Sequence, residues 1–268
     1  MQIYGRDFKL LDFAKTLQIA GLSASPLLAR AMVRGPLTAF EFSSRACQLY
    51  HDVVGDDSIP QASLAEICGE ADASGQIWID LSQPSSEMPP GELALLCSLV
   101  KWKNPRLALE IGTFKGFTTL HLSRNTSDHT RIFTVDLPTT LEDAAAASFS
   151  DPQLIAASRA AVRAFGNDPK ITQLFRDSTT VDWKAQLGRP IDFALIDGSH
   201  LYEHVRLDTE RVLDALSPSA LVVWHDYSHV EVRRGVGRYL RELQRSGWPV
   251  KRISGTSLCV YSHDRAAL

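Results

Sequence analysis

The stretch RLALEIGTFKGFTTLHLSRN, residues 106–125, decides the fold. It opens as an apolar run of strand length, passes through a turn bounded by Gly112 and Gly116, and continues with a helical pattern. A strand feeding straight into a helix is one β–α unit, and the same unit recurs down the chain. RIFTVDLP (131–138) precedes a long segment to Gly166, and ITQLFRD (171–177) precedes a short helix. IDFALID (191–197) precedes YEHVRLDTERVLDAL, and ALVVWHDY (220–227) precedes VRRGVGRYLRELQRSG. Five such units predict an α/β fold, a doubly wound and mostly parallel sheet with helices on both faces. The end differs: PVKRIS, Gly255 and SLCVYSH read as two strands joined tightly, an antiparallel C-terminal hairpin that brings the sheet to seven strands.

Upstream the texture is helical from about Phe8 to Cys68, in LLDFAKTLQIAGL, PLLARAMVR and FEFSSRACQLYHDVV, broken at Gly21, Gly35 and Gly55. The Ser/Pro-rich segment SQPSSEMPPGE (82–92) reads as a linker. The expected division is therefore an N-terminal helical extension over 1–88 and the α/β domain over 89–268. The extension and the long connection PTTLEDAAAASFSD (138–151) are candidates for a lid over a substrate, and the extension equally for a homo-oligomer contact.

The net charge of -3 excludes a general nucleic-acid binder, which needs a basic excess for phosphate contacts. Arg6, Asp7 and Lys9 make the first residues unlike a signal peptide, and no apolar run is long enough to span a bilayer. Cys47, Cys68, Cys97 and Cys259 are scattered without a CxxC pair, so reduced core thiols in a cytoplasmic protein are expected.

In a doubly wound sheet, ligands bind beyond the carboxyl ends of the strands. Here all five parallel strands carry an acid at that end: Glu110, Asp136, Asp177, Asp197 and Asp226, the last preceded by His225. Helix N-caps favour Asp, but five in five exceeds that expectation. Gly112 and Gly116 allow a sharp turn and a close approach to a ligand. Asp136 stands 20 residues past Gly116, where a carboxylate can take ribose hydroxyls. Phe114 occupies the place of the second glycine of G-x-G-x-x-G, which disfavours NAD, and the acid Glu110 suits a positively charged ligand.

With EIGTFKG (110–116) and the ordered acids on the page, the sequence resembles the class I S-adenosylmethionine-dependent methyltransferases, over roughly residues 90 to 265. The resemblance implies a Rossmann-like fold. It implies a cofactor site made by Glu110, Gly112, Thr113 and Gly116 in the turn, Asp136 at the ribose, and Asp177 with Ser178 at the adenine.

The second half carries the chemistry. Asp197 ends one strand and His225 with Asp226 the next, so one imidazole and two carboxylates converge as a site for a hard or borderline divalent ion. Mg²⁺ is the expected occupant, with Mn²⁺ the alternative. The pattern D-G-S-H-x-x-x-H-V followed by LVVWHDY resembles the metal-dependent O-methyltransferases of macrolide sugars and the cephalosporin-hydroxylase-like branch. That resemblance implies Asp197 and Asp226 as metal ligands, and His200, three residues after Asp197, as general base. His225 stands where those relatives more often carry an acid.

The expected activity is transfer of a methyl group to a hydroxyl of a small molecule, such as a sugar or natural product. The rivals are a metal-dependent hydroxylase or hydrolase on the same scaffold and a non-catalytic cofactor-binding module. Plainer readings stand beside the sharp ones: Asp197-Gly198 as a turn, and Asp226 as a helix N-cap. His204 would share a helical face with His200, either as an HxxxH pair or as a packed histidine. Tyr202 and Tyr227 would line the acceptor pocket or pack as aromatics, Trp224 would fill the core, and RRGVGR (233–238) reads as a helix with a solvated arginine face rather than a phosphate loop.

Overall fold

A computed structural model describes residues 59–69, 76–80, 88–137, 168–227 and 234–263, together with a two-residue antiparallel ladder of Gln2–Ile3 with Arg6–Asp7. The helical reading of residues 8–58, Cys47 and the 138–151 connection lie outside the described residues. The strands are β1 (Gln61–Ala62), β2 (Leu107–Ile111), β3 (Arg131–Asp136), β4 (Ile171–Phe175), β5 (Ile191–Ile196), β6 (Leu216–Trp224), β7 (Lys251–Ile253) and β8 (Cys259–Ser262). They form one sheet of eight strands in the order β1-β7-β8-β6-β5-β2-β3-β4. The five expected parallel strands and the antiparallel tail are present, and the eighth strand is β1. It comes from the region read as helical extension and pairs parallel with β7, Gln61 opposite Arg252.

Both faces of the sheet are covered, which explains why its strands read as unbroken apolar runs. Alternate residues serve opposite faces. Leu107, Leu109 and Ile111 of β2 join Ile196, Val222, Trp224 and Tyr261 on one side. Ala108, Phe193, Leu195, Val223 and Val260 face the other. On the first side pack α4 (Trp183–Leu187), α5 (Tyr202–Leu213) and α6 (Arg234–Arg245); on the second pack α1 (Leu64–Cys68), α2 (Pro90–Lys103) and α3 (Phe117–Arg124).

The helix signals are local. Ser63 and Glu66 form a capping box on α1. Helix α2 begins at Pro90, where the missing N–H costs nothing, and carries Glu92 in its first turn with Lys101 and Lys103 in its last. Cys68, Cys97 and Cys259 are buried and form no disulfide among the described residues, as expected of core thiols, and burial pushes the Cys97 thiol up to about 12. No helix among the described residues is long and apolar enough to cross a membrane.

Candidate functional site

The chain runs β2, β3, β4 towards one edge and then resumes at β5 on the other flank of β2. The crevice therefore opens beyond the carboxyl ends of β2 and β5. Gly112 leaves β2 there with φ of 102°. A Cβ on it would lie 2.3 Å from the Asp197 carbonyl oxygen and 2.9 Å from the Gly198 Cα. The glycine thus serves the contact between two strand ends: Asp197 N–H donates to Ile111 O at 2.9 Å, and Gly112 N–H to Val135 O at 2.9 Å. Gly116, with φ of 78°, is the N-cap of α3.

Among the residues expected at the cofactor, Glu110 lies inside β2 rather than at its end and has no exposed surface. Its Oε2 accepts from the Thr119 hydroxyl and from Thr134 Oγ1 at 2.6 Å, and Thr113 Oγ1 lies 2.6 Å from the same Thr134 oxygen. Its Oε1 has no hydrogen-bond partner among the described residues. Burial, despite the two threonines and with help from the Asp197 and Asp136 charges, pushes Glu110 up to about 8. Asp136 holds the turn itself: Oδ2 accepts from Phe114 N at 2.7 Å and Oδ1 from Leu137 N at 2.7 Å. Phe114 adopts φ of 46°, a left-handed conformation where a glycine would be unstrained.

Asp177 is the N-cap of a 3₁₀ turn over Ser178–Thr180, accepting from Thr179 N at 3.0 Å and Thr179 Oγ1 at 2.6 Å. Ser178 hydrogen-bonds Asp208 of α5, whose buried carboxyl is pushed up to about 7, chiefly by desolvation. Asp177 and Ser178 thus sit at the end of β4 in a self-capped turn on the same sheet edge as Asp136.

The other four predicted residues meet beyond β5 and β6. His225 is buried with both ring nitrogens engaged. Nδ1 lies 3.1 Å from Asp197 Oδ1 and 3.2 Å from Asp226 Oδ1, and Nε2 lies 2.8 Å from Glu92 Oε2. Burial opposes charging the ring, yet Asp226, Asp197 and Glu92 together hold its pKa well above the usual histidine range. His200 Nε2 lies 2.6 Å from Asp226 Oδ2. Consecutive residues of a strand point to opposite faces, but Asp226 sits at φ of 70°, and that turn brings its carboxylate beside the preceding imidazole. Asp197, His225 and Asp226 each offer one ligand atom, all within 4.8 Å of one another.

Glu92 is the neighbour of this cluster that sequence reasoning missed, because it falls within the stretch read as a linker. It is buried in the first turn of α2, where Oε1 accepts from Ser257 N at 2.6 Å and Oε2 from Ser257 Oγ at 2.9 Å. These bonds and the His225 contact keep its pKa low against the pull of burial. The one available signal was an acid two residues after Pro90 in a helix-opening pattern.

The plainer readings hold for the remaining residues. His200 lies before α5, outside any helix, so His200 and His204 share no helical face. Tyr202 donates to Glu242 of α6, meets Tyr239 edge-on at 5.9 Å, and lies under the Arg238 guanidinium at 4.3 Å. Tyr227 packs against the core beneath Arg252. Trp224 is fully buried, with Nε1 donating to Thr209 Oγ1 at 2.9 Å. RRGVGR lies in α6 apart from its first residue, and its first glycine has a packing reason: a Cβ on Gly235 would lie 2.2 Å from His200 O and 2.3 Å from Tyr202 N.

Residues 109–227 match the model of a family described as a methyltransferase domain. No curated protein matches the chain. Among solved structures the chain is similar to the O-methyltransferase TomG from Streptomyces achromogenes, which is involved in tomaymycin synthesis and was solved in complex with SAM. The TM-score is 0.50 at 14% identity, over 83% of this chain and 97% of that one. It is also similar to a provisionally assigned caffeoyl-CoA O-methyltransferase from Staphylococcus aureus, with TM-score 0.51 at 15% identity, over 66% of this chain and 85% of that one. At these identities the likeness is one of fold. The eight-stranded, mostly parallel sheet with its antiparallel C-terminal pair is the Rossmann-like fold these structures share.

Proposed function

We propose, from the premise that residues 109–227 are a methyltransferase domain, that the protein is an S-adenosylmethionine-dependent O-methyltransferase acting on a hydroxyl of a small molecule, with His200 as base and Mg²⁺ or Mn²⁺ held by Asp197, His225 and Asp226. One observation carries the reading. Four titratable side chains from two neighbouring strand ends converge beside the turn that Gly112 makes at the switch of strand order.

The residues fit both groups. Glu110 keeps a buried carboxyl oxygen without a partner one residue before Ile111 and the turn, and a cationic ligand beside it would favour its charged form. Asp136 lies against the backbone of that turn. Two carboxylates and an imidazole make a donor set for a hard or borderline cation. When bound, S-adenosylmethionine supplies a methyl group on a sulfonium centre, and the cation a Lewis acid for an acceptor hydroxyl.

The chain's own residues handle the proton. Asp226 Oδ2 accepts the hydrogen on His200 Nε2, which fixes the tautomer and leaves Nδ1 as the basic nitrogen. The His200 side chain is 31% exposed, which leaves it open to an acceptor hydroxyl. Asp226 faces His225 with its other oxygen, which ties the base to the cation donors through one carboxylate.

Calorimetry with S-adenosylmethionine, with Mg²⁺ and with chelator, tests the reading. Binding at micromolar to millimolar affinity is expected, and no binding sinks it. His200→Ala should leave that affinity unchanged while abolishing labelled-methyl transfer into a set of hydroxylated small molecules. Retained transfer removes His200 as base.

A further inference from the structure

Glu92 stands outside every expected site residue, yet it closes the cluster from below. Its carboxylate joins three distant parts of the chain: the first turn of α2, the β7–β8 connection at Ser257, and His225 at the end of β6. All three groups are buried, and the Ser257 N–H and hydroxyl both donate to the carboxylate. The Ser257 backbone N–H is an obligate donor, so it fixes Oε1 as an acceptor at 2.6 Å. Oε2, at 2.8 Å from His225 Nε2, therefore faces the ring as a second acceptor, and the ring carries its hydrogen on that nitrogen.

We infer that Glu92 is a positioning residue of the cation site: by holding the Nε2 hydrogen of His225, it leaves Nδ1 as the ring nitrogen turned to the point where Asp197 and Asp226 converge. The inference rests on the metal reading above and adds to it the group that selects the ligand nitrogen. Ligating histidines commonly use their second nitrogen in this way, and loss of such a partner weakens the metal by on the order of 10- to 100-fold. Glu92 also explains how an imidazole serves next to two carboxylates: a third carboxylate on its far side fixes which way the ring faces.

Glu92→Gln isolates this role, because glutamine can keep the packing and all three hydrogen bonds, reversing the direction of the two made by Oε2. Its oxygen takes the place of Oε1 on Ser257 N–H. Its amide nitrogen then takes the place of Oε2, donating to the Ser257 hydroxyl, which rotates to accept, and to His225 Nε2. The ring must carry its hydrogen on Nδ1, which turns that hydrogen towards Asp197 and Asp226 and removes the lone pair.

The test titrates Mn²⁺ into the full-length protein and counts free ion by electron paramagnetic resonance. Beside it, the imidazole nitrogen spectrum of His225 is recorded in metal-free and Mg²⁺-loaded samples. Wild type is expected to bind Mn²⁺, and Glu92→Gln to bind it on the order of 10- to 100-fold more weakly with S-adenosylmethionine affinity intact. In that variant the Nε2 hydrogen signature should be lost. Ser257→Ala, which keeps the Glu92–His225 pair, should bind Mn²⁺ as wild type does. Equal Mn²⁺ affinity in Glu92→Gln overturns the inference, as does an equal loss in Ser257→Ala, which would make the effect one of packing. Wild type that binds no Mn²⁺ refutes the metal reading. The metal-free spectrum then decides Glu92 separately, since an Nε2 hydrogen retained in Glu92→Gln shows that Glu92 does not set the ring.

Discussion

Replacing Glu110 by Gln exposes what its burial costs the fold. The carboxyl has no exposed surface, two threonine hydroxyls on Oε2, and nothing on Oε1. Its pKa stands at about 8 in the folded protein against an ordinary 4.5. Between those two pH values the folded protein holds a proton that the unfolded chain has released. The contribution of this group to stability is therefore complete below pH 4.5 and is lost as pH rises towards 8, at about 1.4 kcal/mol per pH unit. Over the whole interval the loss approaches roughly 4–5 kcal/mol, an upper figure because buried groups relax. Glutamine has no proton to lose, but it places an amide nitrogen where Oε1 finds no partner, at a cost of roughly 2 kcal/mol at any pH. The two effects cross. Near pH 5 the variant should be less stable than wild type by roughly 1 kcal/mol, and near pH 8 more stable by roughly 2–3 kcal/mol. Urea unfolding of both proteins at unit intervals of pH measures the difference, in which distant titrating groups cancel. A difference that stays constant from pH 5 to 8 would refute the reasoning, because it would mean that Glu110 ionises as freely folded as unfolded.

Two glycines give opposed expectations to the usual gain from alanine. Gly112→Ala combines φ of 102° with a Cβ 2.3 Å from the Asp197 carbonyl oxygen, so the ends of β2 and β5 must part. A loss of at least roughly 1–3 kcal/mol and weakened S-adenosylmethionine binding in calorimetry are expected; unchanged affinity would detach this turn from the cofactor. Gly235 lies inside α6, where alanine would add about 1 kcal/mol by helix propensity alone. Its Cβ would instead meet His200 O at 2.2 Å, so Gly235→Ala should lower the melting temperature and slow methyl transfer while sparing cofactor affinity. A variant more stable than wild type would show that the segment bearing His200 yields to the helix.

What the sequence discloses follows the range of the physics. Apolar runs such as Phe193–Ile196 are legible as strands because a residue's face alternates with its neighbour's, a local rule, and the strand ends are legible as a site because the parallel topology gathers them. The hairpin tail is legible for the same reason. Strand β1 is not: two residues, Gln61 and Ala62, carry no period, and only Arg252 and Ile253, far along the chain, make them a strand. Glu92 is invisible for a like cause, since its partners stand 133 and 165 residues away.

His200 shows where the boundary lies. Spacing in sequence assigns it to Asp197, three residues earlier, yet its imidazole bonds Asp226, which belongs to the next strand. In a helix, residues three apart are neighbours, but residues 197–201 run outside any helix, and there three residues carry the side chain away. Strands β5 and β6 pair in parallel, Ile196 opposite Trp224, so the loops that follow them lie side by side. The nearer carboxylate is the one across the ladder. The residue types of the site are therefore legible one by one, while their pairing belongs to the sheet. That pairing sets His200 against Asp226 and leaves Asp197 to face His225.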